Sequence, residues 1–116
     1  MARGFTLRDA VPGDAPEVMR LVRALAEYER LNHRCTATEE DMDRVLFGPR
    51  PYARAMLAEV AGRTVGVALY HTTISTFVCR PGYFLEDIFV QPEQRGQGIG
   101  KAFFAELAKR LREEGG

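Results

Sequence analysis

The stretch "VQPEQRGQGIGKAFFAEL", residues 90 to 107, sets Gly96, Gly98 and Gly100 between an apolar run and a helical pattern. On its far side Phe103, Phe104, Leu107, Ala108 and Leu111 recur at helical spacing, which predicts a helix running to about Glu114. On its near side "YFLEDIFV", residues 83 to 90, reads as a long strand, apolar except at Glu86 and Asp87. The first turn of a helix carries unpaired N–H groups and a partial positive charge. Glycines let that backbone come close to a ligand and adopt positive φ. A strand, a glycine loop and a helix N-terminus in succession make an anion site, typically for phosphate.

Two familiar phosphate motifs fail on spacing. A P-loop needs Gly-x-x-x-x-Gly-Lys-Ser/Thr. Here Arg95 stands five before Gly100, and Ala102 takes the place of Ser/Thr. The dinucleotide fingerprint needs Gly-x-Gly-x-x-Gly, whereas this loop runs Gly-x-Gly-x-Gly. A glycine-rich turn that only joins strand to helix is the remaining bland reading, although one glycine is enough for that.

Working outward, "FTLR" at residues 5–8 alternates and predicts a first strand. Asp14 is placed to cap a first helix, with Glu17 completing a capping box and Pro16 in the first turn. Val18, Leu21, Val22 and Leu25 then repeat at i, i+3, i+4 and i+7. "TEEDMDRVLFGP" predicts a shorter helix, capped by Thr38 and ended by Gly48-Pro49. "ARAMLAEVAGRTVGVALYHTT" predicts two strands joined by a tight turn at Ala61-Gly62-Arg63. Arg80-Pro81-Gly82 reads as a loop that breaks the chain before the last strand. The order is β-α-α-β-β-β-α, an α/β domain with a mixed sheet.

At 116 residues the chain has the length of a single domain, residues 1–116. Sixteen basic and sixteen acidic side chains cancel, so a nucleic-acid surface, which needs a basic excess, gains no support. No apolar run is long enough to span a bilayer, and "MARGFTLRDA" holds no apolar signal region. These readings give no membrane partner and a cytoplasmic location. Cys35 and Cys79 are too few and too far apart for a disulfide framework or a zinc site, and no metal is expected.

Together, "LAEYE", "LEDIFV" and "RGQGIG" resemble the GNAT N-acetyltransferases, and within them the diamine (spermidine/spermine) and thialysine branch. Arg95, Gly98 and Gly100 match that family's Arg/Gln-x-x-Gly-x-Gly/Ala signature, and the element order matches as well. The resemblance implies an acetyl-CoA-dependent enzyme that acetylates a primary amine of a small molecule, a diamine, a polyamine or a thialysine-like amino acid. It implies that Gly96, Gln97, Gly98, Ile99, Gly100 and Lys101, with Arg95 at their edge, hold the pyrophosphate of the cosubstrate. Backbone groups of Ile88, Phe89 and Val90 would pair with its pantetheine arm, and an N–H there would polarise the thioester carbonyl. Glu86 and Asp87 are the candidates to take the proton the amine must lose; the resemblance implies that Glu86 is the catalytic residue and contacts the amine, while Tyr28 and Glu29 would line the amine pocket. Glu86 and Asp87, adjacent on a strand, are expected on opposite faces of the sheet. A homodimer is implied by the branch and is common among oligomers generally.

Two departures qualify the resemblance. An acid and a tryptophan in the polyamine enzymes correspond to Ser75 and Phe77 here, which argues against long polycations. Family members also continue past the third helix, with a further cleft wall and a tyrosine that protonates the leaving thiolate. No tyrosine follows Tyr83. The chain therefore looks like the first part of such a domain, truncated after the third helix and inactive alone. Its fourth strand would have an edge that another chain, an exchanged segment or further residues must cover. A non-catalytic acyl-CoA-binding or interaction module is the alternative reading.

Overall fold

The computed structural model describes residues 4–116; the first three residues of the stretch read above for a signal lie outside it. The elements are β1 (Thr6–Asp9), α1 (Ala15–Tyr28), α2 (Glu39–Phe47), β2 (Arg54–Val60), β3 (Arg63–Ser75), β4 (Arg80–Val90) and α3 (Ile99–Glu113). Short 3-10 turns occupy Asn32–Arg34 and Pro92–Gln94. The expected α/β class and element order hold.

One sheet runs β1-β2-β3-β4, and every pairing in it is antiparallel rather than mixed. Two successive hairpins dictate this for β2, β3 and β4. The α1–α2 excursion returns the chain so that β2 also runs against β1. The β2–β3 turn is the two residues Ala61 and Gly62, with φ of 51° and 78°, so Arg63 already belongs to β3. Positive φ at both central positions matches the right-handed twist of the flanking strands.

Period-two alternation along the strands sorts the core into two layers. Met56, Ala58, Ala68 and Tyr70 face α3, through Ile99, Ala102, Phe103 and Leu107. Leu57, Val67, Leu69 and Phe89 face α1 and α2, through Val18, Leu21 and Leu46. The far end of α3 is pinned to the sheet by polar contacts. Arg110 pairs with Asp9, Tyr83 with Glu114, and Arg54 with Glu114 at 3.5 Å. With packing along its length and pairing at its end, α3 holds its N-terminus fixed beside the end of β4.

Three local expectations need correction. Asp14 does precede α1, but its side chain makes no capping bond. Arg8 takes both its oxygens, at 2.7 and 3.0 Å, and the Val11 N–H donates to it at 2.7 Å. The Arg8 guanidinium thereby holds the Asp14 carboxyl below its usual range. Glu17 pairs with Arg20 instead of completing a capping box. A bidentate arginine–carboxylate pair outcompetes a single bond from a backbone N–H.

Arg80-Pro81-Gly82 is not a break: β3 extends to Ser75, and Ile74 pairs with Pro81 in the ladder. Proline is tolerated there because β4 pairs only with β3 among the described residues. The first strand is shifted by one residue, to Thr6–Asp9.

At α2 the expectation holds. Thr38 accepts from the Asp41 N–H at 3.0 Å, and Asp41 accepts from the Thr38 N–H at 2.9 Å. Thr38→Ala is expected to cost about 1 kcal/mol of unfolding free energy in urea titration; an unchanged midpoint would remove the cap from the account.

Candidate functional site

Between the end of α1, the last residues of β4 and the glycine loop lies a cleft of about 500 Å³. Among the described residues it collects Tyr28, Glu29, Ile88, Phe89, Val90, Arg95, Gly96, Gly98, Ile99 and Gly100 of the sequence-predicted ones, together with Leu25 and Gln94. Glu86, Gln97 and Lys101 are not on its wall.

The loop is built for close approach. Gly96 and Gly98 have φ of 88° and 87°, a region costing a residue with a side chain about 1–2 kcal/mol. Gly98 is the N-cap of α3 and offers no capping side chain. The first N–H to close a backbone bond within α3 is that of Ala102, to the Gly98 carbonyl at 2.9 Å. The N–H groups of Ile99, Gly100 and Lys101 lie ahead of it and have no partner within the helix. No acidic residue stands in that first turn to offset its positive end. Gly100 has ordinary helical geometry, yet a Cβ placed on it meets no protein atom within 4 Å. Gly100 also lines the cleft. This cradle fits a phosphate-bearing ligand.

The β4 wall is more selective than the sequence indicated. Gln91 N–H donates to Val65 O at 2.9 Å. Backbone groups alternate along an antiparallel strand, so Phe89 also faces β3, while Ile88 and Val90 point outward. Of the three residues expected to pair with an extended ligand, Ile88 and Val90 have the free backbone groups, and Phe89 contributes its ring. Arg95 bridges the walls. Its Nε donates to Val90 O at 3.0 Å, and its guanidinium lies 4.8 Å from the Tyr28 ring centroid and 5.6 Å from that of Phe89.

The cleft wall also carries one acidic residue, Glu29. A smaller side pocket of about 200 Å³ adjoins it, sharing Leu25 and Glu29 and adding Asp87. The expected split of Glu86 and Asp87 across the sheet depends on unbroken alternation, and β4 breaks it. Leu69 pairs with Asp87 and Tyr70 with Leu85, so Glu86 is the extra residue of a bulge. Asp87 keeps unbroken alternation with Phe89 and so lies on the α1 face beside Leu69, while the bulge leaves Glu86 exposed. Burial raises the Asp87 carboxyl above its ordinary range, and the charges of Glu86 and Glu29 add to that. The sequence offers both Glu86 and Asp87 as candidates for the proton, and nothing in "YFLEDIFV" announces the bulge that separates their surroundings.

Ser75 and Phe77 lie at the β3–β4 hairpin tip, with Phe77 98% exposed, and line neither hollow. His71 stacks on Phe84 at 5.2 Å, also outside the cleft. Among the described residues no cluster of three His, Cys, Asp or Glu could hold a metal ion. None of the helices there is long and apolar enough to cross a membrane.

Comparison with known proteins bears on the fold and the family. The chain is 37% identical over 111 residues to the thialysine N-epsilon-acetyltransferase of Bos taurus, an alignment covering 89% of this chain and 65% of the relative. It is 37% identical over 114 residues to the human spermidine/spermine N(1)-acetyltransferase-like protein 1, covering 92% of this chain and 16% of that one. The chain thus spans 65% of the length of the thialysine enzyme it matches. An aminoglycoside acetyltransferase from an uncultured soil metagenomic sample shares the fold, with a TM-score of 0.81 at 17% identity over 97% of this chain and 72% of that one. A ribosomal-protein-alanine N-acetyltransferase from Brucella melitensis superposes with a TM-score of 0.77 at 22% identity, over 95% and 73% of the two chains. Residues 20–116 match the family model of the acetyltransferase (GNAT) family, and with the relatives above this places the chain in that family.

Proposed function

We propose that residues 1–116 form a single N-acetyltransferase domain that, in the whole protein, transfers the acetyl group of acetyl-CoA to a primary amine of a small molecule. One observation carries this reading: a single cleft is lined by the first turn of α3, by Arg95 and by Glu29, and the side pocket that shares Glu29 with it adds Asp87. An anionic cosubstrate and a cationic substrate would meet in it.

Acetyl-CoA, when bound, supplies an acetyl thioester. The N–H groups from Gly96 to Lys101 would hold its pyrophosphate, with Arg95 screening the charge. Arg95 must first release the Val90 carbonyl, because an extended ligand on β4 needs the outward groups of Ile88 and Val90. One of those N–H groups would also support developing charge on the thioester oxygen. Glu86, exposed on the bulge, would contact the incoming ammonium. Asp87, with its raised proton affinity, is suited to take the proton the amine must lose before it attacks. Tyr28 and Glu29 would border the amine.

The relatives' names, thialysine and spermidine/spermine acetyltransferases, support a small aliphatic amine as substrate. The cytoplasmic location and homodimer remain parts of this proposal, drawn from the sequence and its branch of the family.

The test is an acetylation assay of the whole protein with acetyl-CoA against thialysine, ornithine, spermidine and an aminoglycoside. Turnover of one of the first three, with coenzyme A released stoichiometrically, is the expected result. Saturable coenzyme A binding without turnover of any amine would leave a binding module instead.

A further inference from the structure

The side pocket next to the cleft is not purely acidic. Arg34, the last residue of the 3-10 turn after α1, lines it together with Glu29 and Asp87. Its remaining wall is mostly apolar, from Val22, Leu25 and Leu31. Among the described residues, none of the three charged side chains forms a salt bridge or a hydrogen bond. Elsewhere on this chain arginines find carboxylates readily: Arg8, Arg20, Arg23, Arg44, Arg54 and Arg110 all do. A cation and two anions that share one small pocket without pairing are complementary to a dipolar guest.

We propose that Arg34 anchors a carboxylate, making this pocket selective for amino acids with a side-chain amine over plain diamines. This rests on the proposed function and narrows its substrate class. The amine would lie at the junction with the cleft, next to Glu29 and Asp87. The aliphatic stem would run along Leu25 and Val22, and the carboxylate would reach the guanidinium at the rim. Arg34 has two effects on choice. It attracts a carboxylate through a charge-assisted bond, and it repels the second ammonium of a diamine. Arginine suits the first task because its planar fork matches a carboxylate. The position is exposed, so substitution there leaves the fold intact.

The test uses a matched pair of ligands, thialysine and bis(2-aminoethyl) sulfide, which is the same molecule without its carboxylate. Calorimetry on the whole protein without acetyl-CoA reads binding, and kcat/KM with acetyl-CoA reads discrimination. The expected result is tighter binding of thialysine to the native protein. Arg34→Ala weakens thialysine about tenfold or more, on the order of 1.4 kcal/mol. The diamine is unchanged or bound more tightly, and Arg34→Lys recovers part of the loss. The proposal is overturned if the native protein prefers the diamine, if neither ligand binds, or if Arg34→Ala affects both alike. Acetyl-CoA-dependent turnover separates the two levels. Turnover of both amines without discrimination removes Arg34's role alone. Discriminating binding without any turnover removes the enzymatic reading alone.

Discussion

Gly98→Val is expected to lower coenzyme A affinity by about tenfold or more. Two effects combine. The φ of 87° at this N-cap is hostile to a β-branched residue, so the loop must shift or the variant loses about 1–3 kcal/mol of stability. Any shift also re-aims the first-turn N–H groups that hold the anion. A loss of affinity alone would not tell a ligand site from a damaged fold, and Gly100→Ala separates them. Gly100 is helical, and its Cβ would meet no protein atom within 4 Å. Alanine there should stabilise α3 by about 0.5–1 kcal/mol. The same methyl group, on a residue that lines the cleft, should weaken coenzyme A. Higher stability with lower affinity is the signature of a glycine kept for its ligand. If Gly100→Ala binds coenzyme A as well as the native protein, the close approach at that residue is wrong.

Asp87→Asn is expected to lower kcat about 100-fold, within the usual range for a lost proton acceptor, while leaving KM for the amine little changed. Its effect on stability has the opposite sign. The folded protein raises the Asp87 carboxyl above its ordinary value of 3.8, mainly through burial and then through Glu86 and Glu29. The fold therefore binds this proton more tightly than the unfolded chain does. Stability falls as pH rises from the ordinary value through the raised one, and stays lower above it. Removing the charge removes that penalty. Asp87→Asn should melt higher than the native protein at pH 7, and the gain should vanish as pH falls toward 3.8. Glu86→Gln, altering an exposed contact, should raise KM for the amine more than it lowers kcat. If Glu86→Gln carries the whole loss in kcat, the proton task belongs to Glu86 instead.

The sequence and the structure part company where local pattern stops governing side-chain direction. α1, α2, α3 and the β2–β3 hairpin were legible because periodicity and turn chemistry act within a few residues. The Thr38 cap was legible for the same reason. Asp14 was misread because its real partner, Arg8, lies on β1, and a salt bridge between elements leaves no trace in a capping-box pattern. Pro81 was misread because a proline breaks a central strand but not an edge strand, and edge status is a property of the sheet.

The site divides in the same way. The glycine loop and "LEDIFV" are contiguous, so their residues could be read together, and the cleft does bring most of them to one place. Which β4 backbone groups point outward depends on register against β3, and here Ile88 and Val90 do while Phe89 does not. The choice between Glu86 and Asp87 was not legible, because it turns on a bulge at Glu86 whose cause lies in the pairing of two strands. Arg34 sits among polar residues in "NHRC", and only the return of β4 beneath α1 gives it a pocket to line.

The central claim is that coenzyme A lies along the open edge of β4 with its pyrophosphate on the first turn of α3. Titrating coenzyme A into isotope-labelled whole protein and following the amide resonances tests it most directly. The account predicts saturable shifts that are largest for the amides of Gly96, Gly98, Ile99, Gly100 and Lys101 and for those of Ile88 and Val90. The amide of Phe89, held in the ladder to β3, should remain protected from solvent exchange throughout. Saturable binding that leaves the loop amides unmoved, or shifts centred on another face of the sheet, would contradict it.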